Sequence, residues 1–233
     1  MNTTNVKPAD LNYDSYENKK YDEEIRKVIP GYKQLHQVLK KRISSSFSPK
    51  DKLKILDLGV GTGLTLQEVL TIIPLASATA VDFSATMLRG AQNRLRTYKV
   101  TFVQGDYTKV DLGNKNKDLV ISVIGIHHQN TEGKKKVFFK IYSSLKKGGI
   151  FLFGDLVTYK DKYEAAVNEA KHYAFMVEHL KNELALKEWS YHHKYLNDVA
   201  PLEDQIKWLQ EAGFASVKVE YKFLNTVLIT AKK

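Results

Sequence analysis

Between residues 54 and 155 the hydropathy pattern switches back and forth between short continuous apolar runs and longer stretches with apolar residues three and four apart. The short runs read as buried strands and the longer stretches as amphipathic helices. Residues 55–58 form the first such strand, with a helix over 64–73 behind it. Ser77–Asp82, Lys99–Gln104, 118–123 and 150–155 supply four more strands, with helices over 84–96 and 131–146 between them. Ser84 is placed to cap the first of these helices, which turns Met87 and Leu88 inward, and Gly148-Gly149 closes the second. Strands that alternate with helices predict an α/β, Rossmann-like, doubly wound domain with a mostly parallel sheet.

Two segments interrupt that alternation. In residues 21–43, Ile25, Val28, Ile29, Leu35, Val38 and Leu39 mark two short helices broken at Pro30-Gly31. They precede the first strand and are read as a cap, with Tyr21 and Tyr32 as the aromatic residues to face a ligand and 44–51 as a linker. Residues 159–196 are rich in aromatic residues and histidines, Tyr195 among them, and predict a mostly helical lid. It lies over the C-terminal edge of the sheet, where open α/β folds bind ligands. A helix over 202–212, apolar at Ile206 and Leu209, and two strands over 217–221 and 224–230 around Lys222-Phe223 end the chain. The organisation expected is therefore a cap over 1–50, a core over 51–158, a lid over 159–200, and a last helix and hairpin over 201–233 that complete the core.

Composition narrows the class. The chain has 233 residues and 43% hydrophobic residues, enough for one core, and no cysteine, which removes disulfides and zinc–thiolate sites. No apolar run approaches the ~20 residues of a membrane span. The polar first twelve residues do not read as a signal peptide, so a soluble cytoplasmic protein is expected. The net charge of +10 comes from 31 lysines against 5 arginines spread along the chain. The clusters at 134–136 and 146–147 read as solvated helix surfaces, which leaves a nucleic-acid partner possible without favouring it.

The chemistry concentrates in ILDLGVGTG, residues 55–63, where Gly59, Gly61 and Gly63 follow a strand that carries Asp57. Glycine permits the sharp turn and lets a ligand approach the backbone, and the helix N-terminus behind it offers free N–H groups. The motif is either a dinucleotide phosphate loop or a glycine-rich turn, but an acid inside the strand and the short third spacing fit G-x-G-x-x-G poorly. Asp82 ends the second strand about twenty residues on, where such units place the carboxylate that holds ribose hydroxyls. Of the adjacent pair His127-His128, His127 reads as structural and His128 as a candidate general base facing an acceptor. No acid or H-x-x-x-H partner stands nearby to make a metal site, and His172 and His179 read as a polar stripe on the lid.

These residues resemble motif I of the class I S-adenosylmethionine-dependent methyltransferases, a strand that ends in D-x-G-x-G-x-G. The resemblance runs from Tyr21 to the C-terminus and is most specific between residues 55 and 155. It implies that Asp57 and the glycines cradle the amino-acid end of S-adenosylmethionine, and that Asp82, Phe83 and Met87 border its nucleoside. It further implies that Asp106 accepts from the adenine amino group, that Tyr107 lines the adenine pocket, and that Ile124 lies beside the methionine part. Tyr21, Tyr32, His128 and Tyr195 are then expected around the acceptor. The terminal hairpin completes a seven-stranded sheet in that family. The segments Ile29-Pro30-Gly31-Tyr32 and Trp208-Leu209-Gln210-Glu211-Ala212-Gly213-Phe214 look like the branch that includes carboxy-S-adenosylmethionine synthase. Reading a carboxylate bidentately needs an arginine, yet none follows Arg96, and a lysine such as Lys194 offers only a point charge. A methyltransferase acting on a small molecule is expected first, with carboxy-S-adenosylmethionine synthesis or tRNA modification second. A nicotinamide oxidoreductase or a silent cofactor-binding protein comes third. The oligomeric state is not legible.

Overall fold

The computed structural model describes residues 18–233, with side chains from Lys20 onward. The expectations for residues 1–17 fall outside the described residues. A seven-stranded sheet forms from β1 (Lys54–Leu58), β2 (Ser77–Asp82), β3 (Lys99–Gln104), β4 (Lys117–Val123), β5 (Leu145–Leu156), β6 (Ser216–Phe223) and β7 (Thr226–Lys232). Their order is β3-β2-β1-β4-β5-β7-β6. The first five strands run parallel, while β7 runs antiparallel between β5 and β6. In chain order the helices are α1 (Asn18–Val28), α2 (Tyr32–Ser46), α3 (Leu64–Ile72), α4 (Ala85–Arg94), α5 (Thr131–Ser144), α6 (Lys162–His179), α7 (Glu183–Tyr191) and α8 (Leu202–Glu211).

Alternation along each strand divides the core into two layers. Leu56, Leu58, Val120, Phe151 and Phe153 pack with Phe138 and Ile141 of α5 and Leu209 of α8. Ile55, Leu119, Ile121 and Leu152 face the other way, onto Leu66 and Val69 of α3 and Leu88 and Ala91 of α4. Leu35, Leu39 and Ile43 of α2 join that second layer, so α2 is a core helix and the expected cap reduces to α1. A third cluster lies across the C-terminal end of the sheet. There Ile25, Val28 and Ile29 meet Leu156, Met176 of α6, and Ala185 and Trp189 of α7.

Several boundaries differ from the sequence reading. Helix α2 runs to Ser46, through part of the expected linker. Helix α5 stops at Ser144, because 145–149 already belong to β5, and Gly148 (φ 77°) turns within that strand instead of capping a helix. The hairpin turns at Leu224-Asn225, two residues later than expected. Lys134, expected on a solvated surface, is fully buried, and its ammonium donates to the carbonyls of Gln129 and Asp198. Burial pushes it down to about 8.

Candidate active site

Strand β1 delivers Asp57 to the interior, and the chain then turns through three glycines of positive φ: Gly59 (74°), Gly61 (53°) and Gly63 (83°). The last two are needed for different reasons. A Cβ on Gly63 would sit 3.1 Å from the Ala91 backbone, so this glycine brings α3 against α4. A Cβ on Gly61 would meet nothing within 4 Å, so here the requirement is the left-handed backbone at the edge of an open cleft. The Gly61 N–H donates to Asp82 Oδ2 (2.8 Å) and the Ser84 N–H to Asp82 Oδ1 (2.9 Å), which ties the end of β2 to the loop.

That cleft opens between the glycine loop and α1, with Tyr21, Asp22, Tyr32, Asp57, Gly61 and Ile124 in its wall. Asp57 is 2% exposed, and its Oδ2 has no hydrogen-bond partner among the described residues. Burial raises its carboxyl well above the ordinary range, and the neighbouring Asp82 carboxylate adds to the effect. A buried, unpaired carboxyl oxygen in a cleft has a lone pair open to a donor on a ligand. One group fastens the roof: Thr62 Oγ1 donates to Asp22 Oδ1 (2.6 Å), and Arg94 donates to Thr62 O (2.9 Å), Thr62 Oγ1 (2.7 Å) and Asp22.

Of the residues expected around the cofactor, Asp57, Gly59, Gly61 and Ile124 line the cleft with Tyr21 and Tyr32, and Asp82 reaches it through Gly61. Gly63 is turned into the α3–α4 contact. Phe83 and the buried Met87 follow Asp82 along the end of β2 and the start of α4, outside the cleft wall. Asp106 is held by the N–H and hydroxyl of Thr108 (2.8 and 2.7 Å). Tyr107 differs from expectation: it is buried in the core, and its hydroxyl donates to Gly125 O (3.0 Å).

A second, narrower cavity adjoins the first, and Ile25 and Ile124 belong to both walls. Ile124 has φ 53°, a conformation that a β-branched residue rarely adopts, held where the two spaces meet. Of the adjacent pair, His127 lies in this wall, whereas His128 is buried behind it and its Nδ1–H donates to Leu196 O (2.9 Å). Burial lowers His128 well below the ordinary range, with His127 and His192 contributing. His127 has the acid partner that the sequence did not reveal, Asp155, whose Oδ1 lies 2.5 Å from its Nδ1. His172, His192 and His193 stand in the same wall. His172 is therefore no surface stripe: it donates from Nε2 to Val28 O (2.7 Å) and accepts from Asn225 Nδ2 (2.7 Å). Tyr195 is 56% exposed and packs on Tyr191, away from both spaces. No group of three His, Asp or Glu side chains able to hold a metal ion exists among the described residues.

The strand order and the glycine-loop cleft at the C-terminal end of the sheet define the class I S-adenosylmethionine-dependent methyltransferase fold. Residues 55–149 match the family model described as a methyltransferase domain. The chain is 28% identical over 217 residues to carboxy-S-adenosyl-L-methionine synthase of Campylobacter fetus subsp. fetus, covering 91% of this chain and 90% of that protein. It is 27% identical over 222 residues to malonyl-[acyl-carrier protein] O-methyltransferase of Bacillus cereus, covering 94% and 75%. In fold it is similar to phosphoethanolamine N-methyltransferase 2 of Haemonchus contortus, solved with phosphomonomethylethanolamine and S-adenosylhomocysteine. That match has a TM-score of 0.66 and 20% identity, and covers 92% of this chain and 46% of that one. In fold, and in the methyltransferase domain matched over residues 55–149, the chain is thus similar to the S-adenosylmethionine-dependent methyltransferases.

Proposed function

We propose that this enzyme transfers a methyl group from S-adenosylmethionine to a small molecule held in the histidine-lined cavity. The observation that carries the reading is the meeting of two spaces at Ile124, one of them furnished with the unpaired carboxylate of Asp57. S-adenosylmethionine, when bound, supplies a methyl group on a positively charged sulfur. Asp57 and the glycine loop hold its cationic amino-acid end, and Asp82, already placed by the Gly61 and Ser84 amides, takes the ribose hydroxyls. Asp106 is assigned to the adenine amino group on the resemblance. Helix α1, fastened by Asp22, Thr62 and Arg94, excludes water, and Ile124 fixes the distance between donor and acceptor spaces. Alignment and exclusion of water are the main contributions an enzyme makes to such an in-line displacement.

The similarity to carboxy-S-adenosylmethionine synthase supports a second reading. Against it, no lysine or arginine lines either space, and Arg94 is engaged with Asp22 and Thr62. A soluble cytoplasmic enzyme without a nucleic-acid substrate goes with the first reading. Lys134, one of the clustered lysines, is buried, and no helix among the described residues is long and apolar enough to cross a membrane. Calorimetry with S-adenosylmethionine and NAD tests the cofactor: the first binds and the second does not. Mass spectrometry of the ligand that co-purifies separates the two readings, since a species heavier by a carboxylate would overturn the methyltransferase.

A further inference from the structure

The second cavity differs in chemistry from the cofactor cleft beside it. Ile25, Val28, Ile29, Leu156, Met176 and Trp189 form its apolar walls, and no lysine, arginine or carboxylate lines it. Two of its histidines are neutral at ordinary pH, because burial pushes His172 down to about 4 and His192 down to about 3. A charged molecule entering here would lose its hydration with no opposite charge to meet, which costs several kcal/mol. The cavity therefore selects an uncharged, largely apolar acceptor.

One histidine in that wall, His127, is held by a carboxylate behind it. Asp155 is fully buried and accepts from the backbone N–H of His127 (2.9 Å), the backbone N–H of Leu156 (2.9 Å) and His127 Nδ1 (2.5 Å). A carboxylate only accepts, so the hydrogen of the neutral imidazole sits on Nδ1 and the lone pair on Nε2. Nε2 has no protein partner among the described residues, and His127 faces the cavity. The structure thus combines an oriented base, a pocket without charged side chains in its wall and a neighbouring cleft for the donor.

Resting on the methyltransferase reading, we propose that His127, positioned by Asp155, is the general base for an uncharged hydroxyl acceptor, a phenol or enol, bound in this cavity. The acceptor O–H bond breaks and its proton passes to His127 Nε2. The oxygen then forms a bond to the methyl carbon as the carbon–sulfur bond breaks. The positive charge leaves the sulfur, which departs as a neutral thioether, and the proton passes from the imidazolium to solvent. The groups that bear on His127 are Asp155 of β5, His128 on its own turn, His192 after α7, and Lys134 of α5 acting through Asp155.

The test uses the full chain with S-adenosylmethionine and four probes: 4-ethylphenol, catechol, 4-hydroxybenzoate and 4-ethylaniline. Methyl transfer is read with labelled cofactor, and binding is read by Trp189 fluorescence and calorimetry in the presence of S-adenosylhomocysteine. The phenols are expected to bind and be O-methylated in preference to the benzoate and the aniline. His127→Gln is expected to lower kcat about 10²–10⁴-fold with little change in KM. Its remaining rate should rise tenfold per pH unit as the phenol ionises in solution, where the wild-type rate levels off. Asp155→Asn, which keeps the shape of the carboxylate but reverses the tautomer, is expected to lower kcat in the same way, and it stands in if His127→Gln does not fold. Wild-type kcat in either folded variant, a loss confined to KM, or preference for the benzoate or aniline would each overturn the proposal. So would bound S-adenosylmethionine with no phenol binding, which leaves the methyltransferase reading standing. Failure to bind S-adenosylmethionine removes both.

Discussion

Replacing Asp57 by asparagine removes a charge at nearly constant shape, and the structure gives opposite expectations for stability and binding. In the ligand-free protein the buried Oδ2 has no partner among the described residues, and Asp82 repels a negative charge there. A buried, unpaired carboxylate costs more than the neutral amide that replaces it, and in a chain of this size each kcal/mol moves Tm by ~2–4 °C. The variant should therefore melt higher. The sign with pH follows from the raised carboxyl. A group whose folded pKa exceeds its ordinary 3.8 stabilises the fold fully below that value and loses the contribution as pH rises through the folded one. The gap between Asp57→Asn and wild type should accordingly widen from about pH 3.8 upward and then level off. Cofactor binding reverses the balance. A charge-assisted hydrogen bond contributes ~1.5–3 kcal/mol, so the variant should bind S-adenosylmethionine about 10–150-fold more weakly. Because the cationic ligand favours the ionised carboxylate, binding to wild type at a pH below the raised Asp57 value should release a proton, seen as different calorimetric heats in buffers of unlike ionisation heat at equal affinity. The variant should show no such difference. Unchanged affinity in Asp57→Asn together with a lower Tm would refute the assignment of Asp57 as the receptor for the cation.

Gly63→Ala and Gly61→Ala should fail differently. The first places a methyl 3.1 Å from the Ala91 backbone and should lower Tm, whereas the second meets no atom and should chiefly weaken cofactor binding, its cost in stability being that of a left-handed alanine, ~1–2 kcal/mol. Equal melting temperatures in the two variants would contradict this. Arg94→Gln should release α1, so amide exchange in α1 rises while β1 and β4 stay protected; uniform exchange would show that Asp22 and Thr62 hold the helix without it. His172 titrates at about 4 in the fold against an ordinary 6.5, so its contribution is present above about pH 6.5 and lost as pH falls towards 4, ~3 kcal/mol in all. His172→Gln should flatten that part of the stability profile measured by urea denaturation, and an unaltered slope would place the acid sensitivity elsewhere.

The strand–helix alternation, the glycine turn and the acid at the end of β2 were legible in the sequence because each is local. A period of two or 3.6, a left-handed turn, or a carboxylate beside a helix N-terminus is specified by residues a few positions apart. The methyltransferase-like fold was legible for the same reason, since ILDLGVGTG and Asp82 together match the motif of that fold. What tertiary structure alone decided is which side chains meet. Asp155 stands 28 positions from His127 and Asn225 stands 53 from His172, and no spacing rule links residues that the sheet and α6 bring together. Lys134 looked like solvated charge until the carbonyls of Gln129 and Asp198 closed on it. His128, favoured over its neighbour for the acceptor, lost that place because a tight turn after β4 points one ring at Asp155 and the cavity and the other at Leu196. Tyr195 was assigned to the pocket on its aromatic character, but a half-turn of helical phase leaves it outside. Apolar periodicity fixes which face is buried, whereas the direction of one polar side chain follows from long-range packing that the chain acquires only on folding.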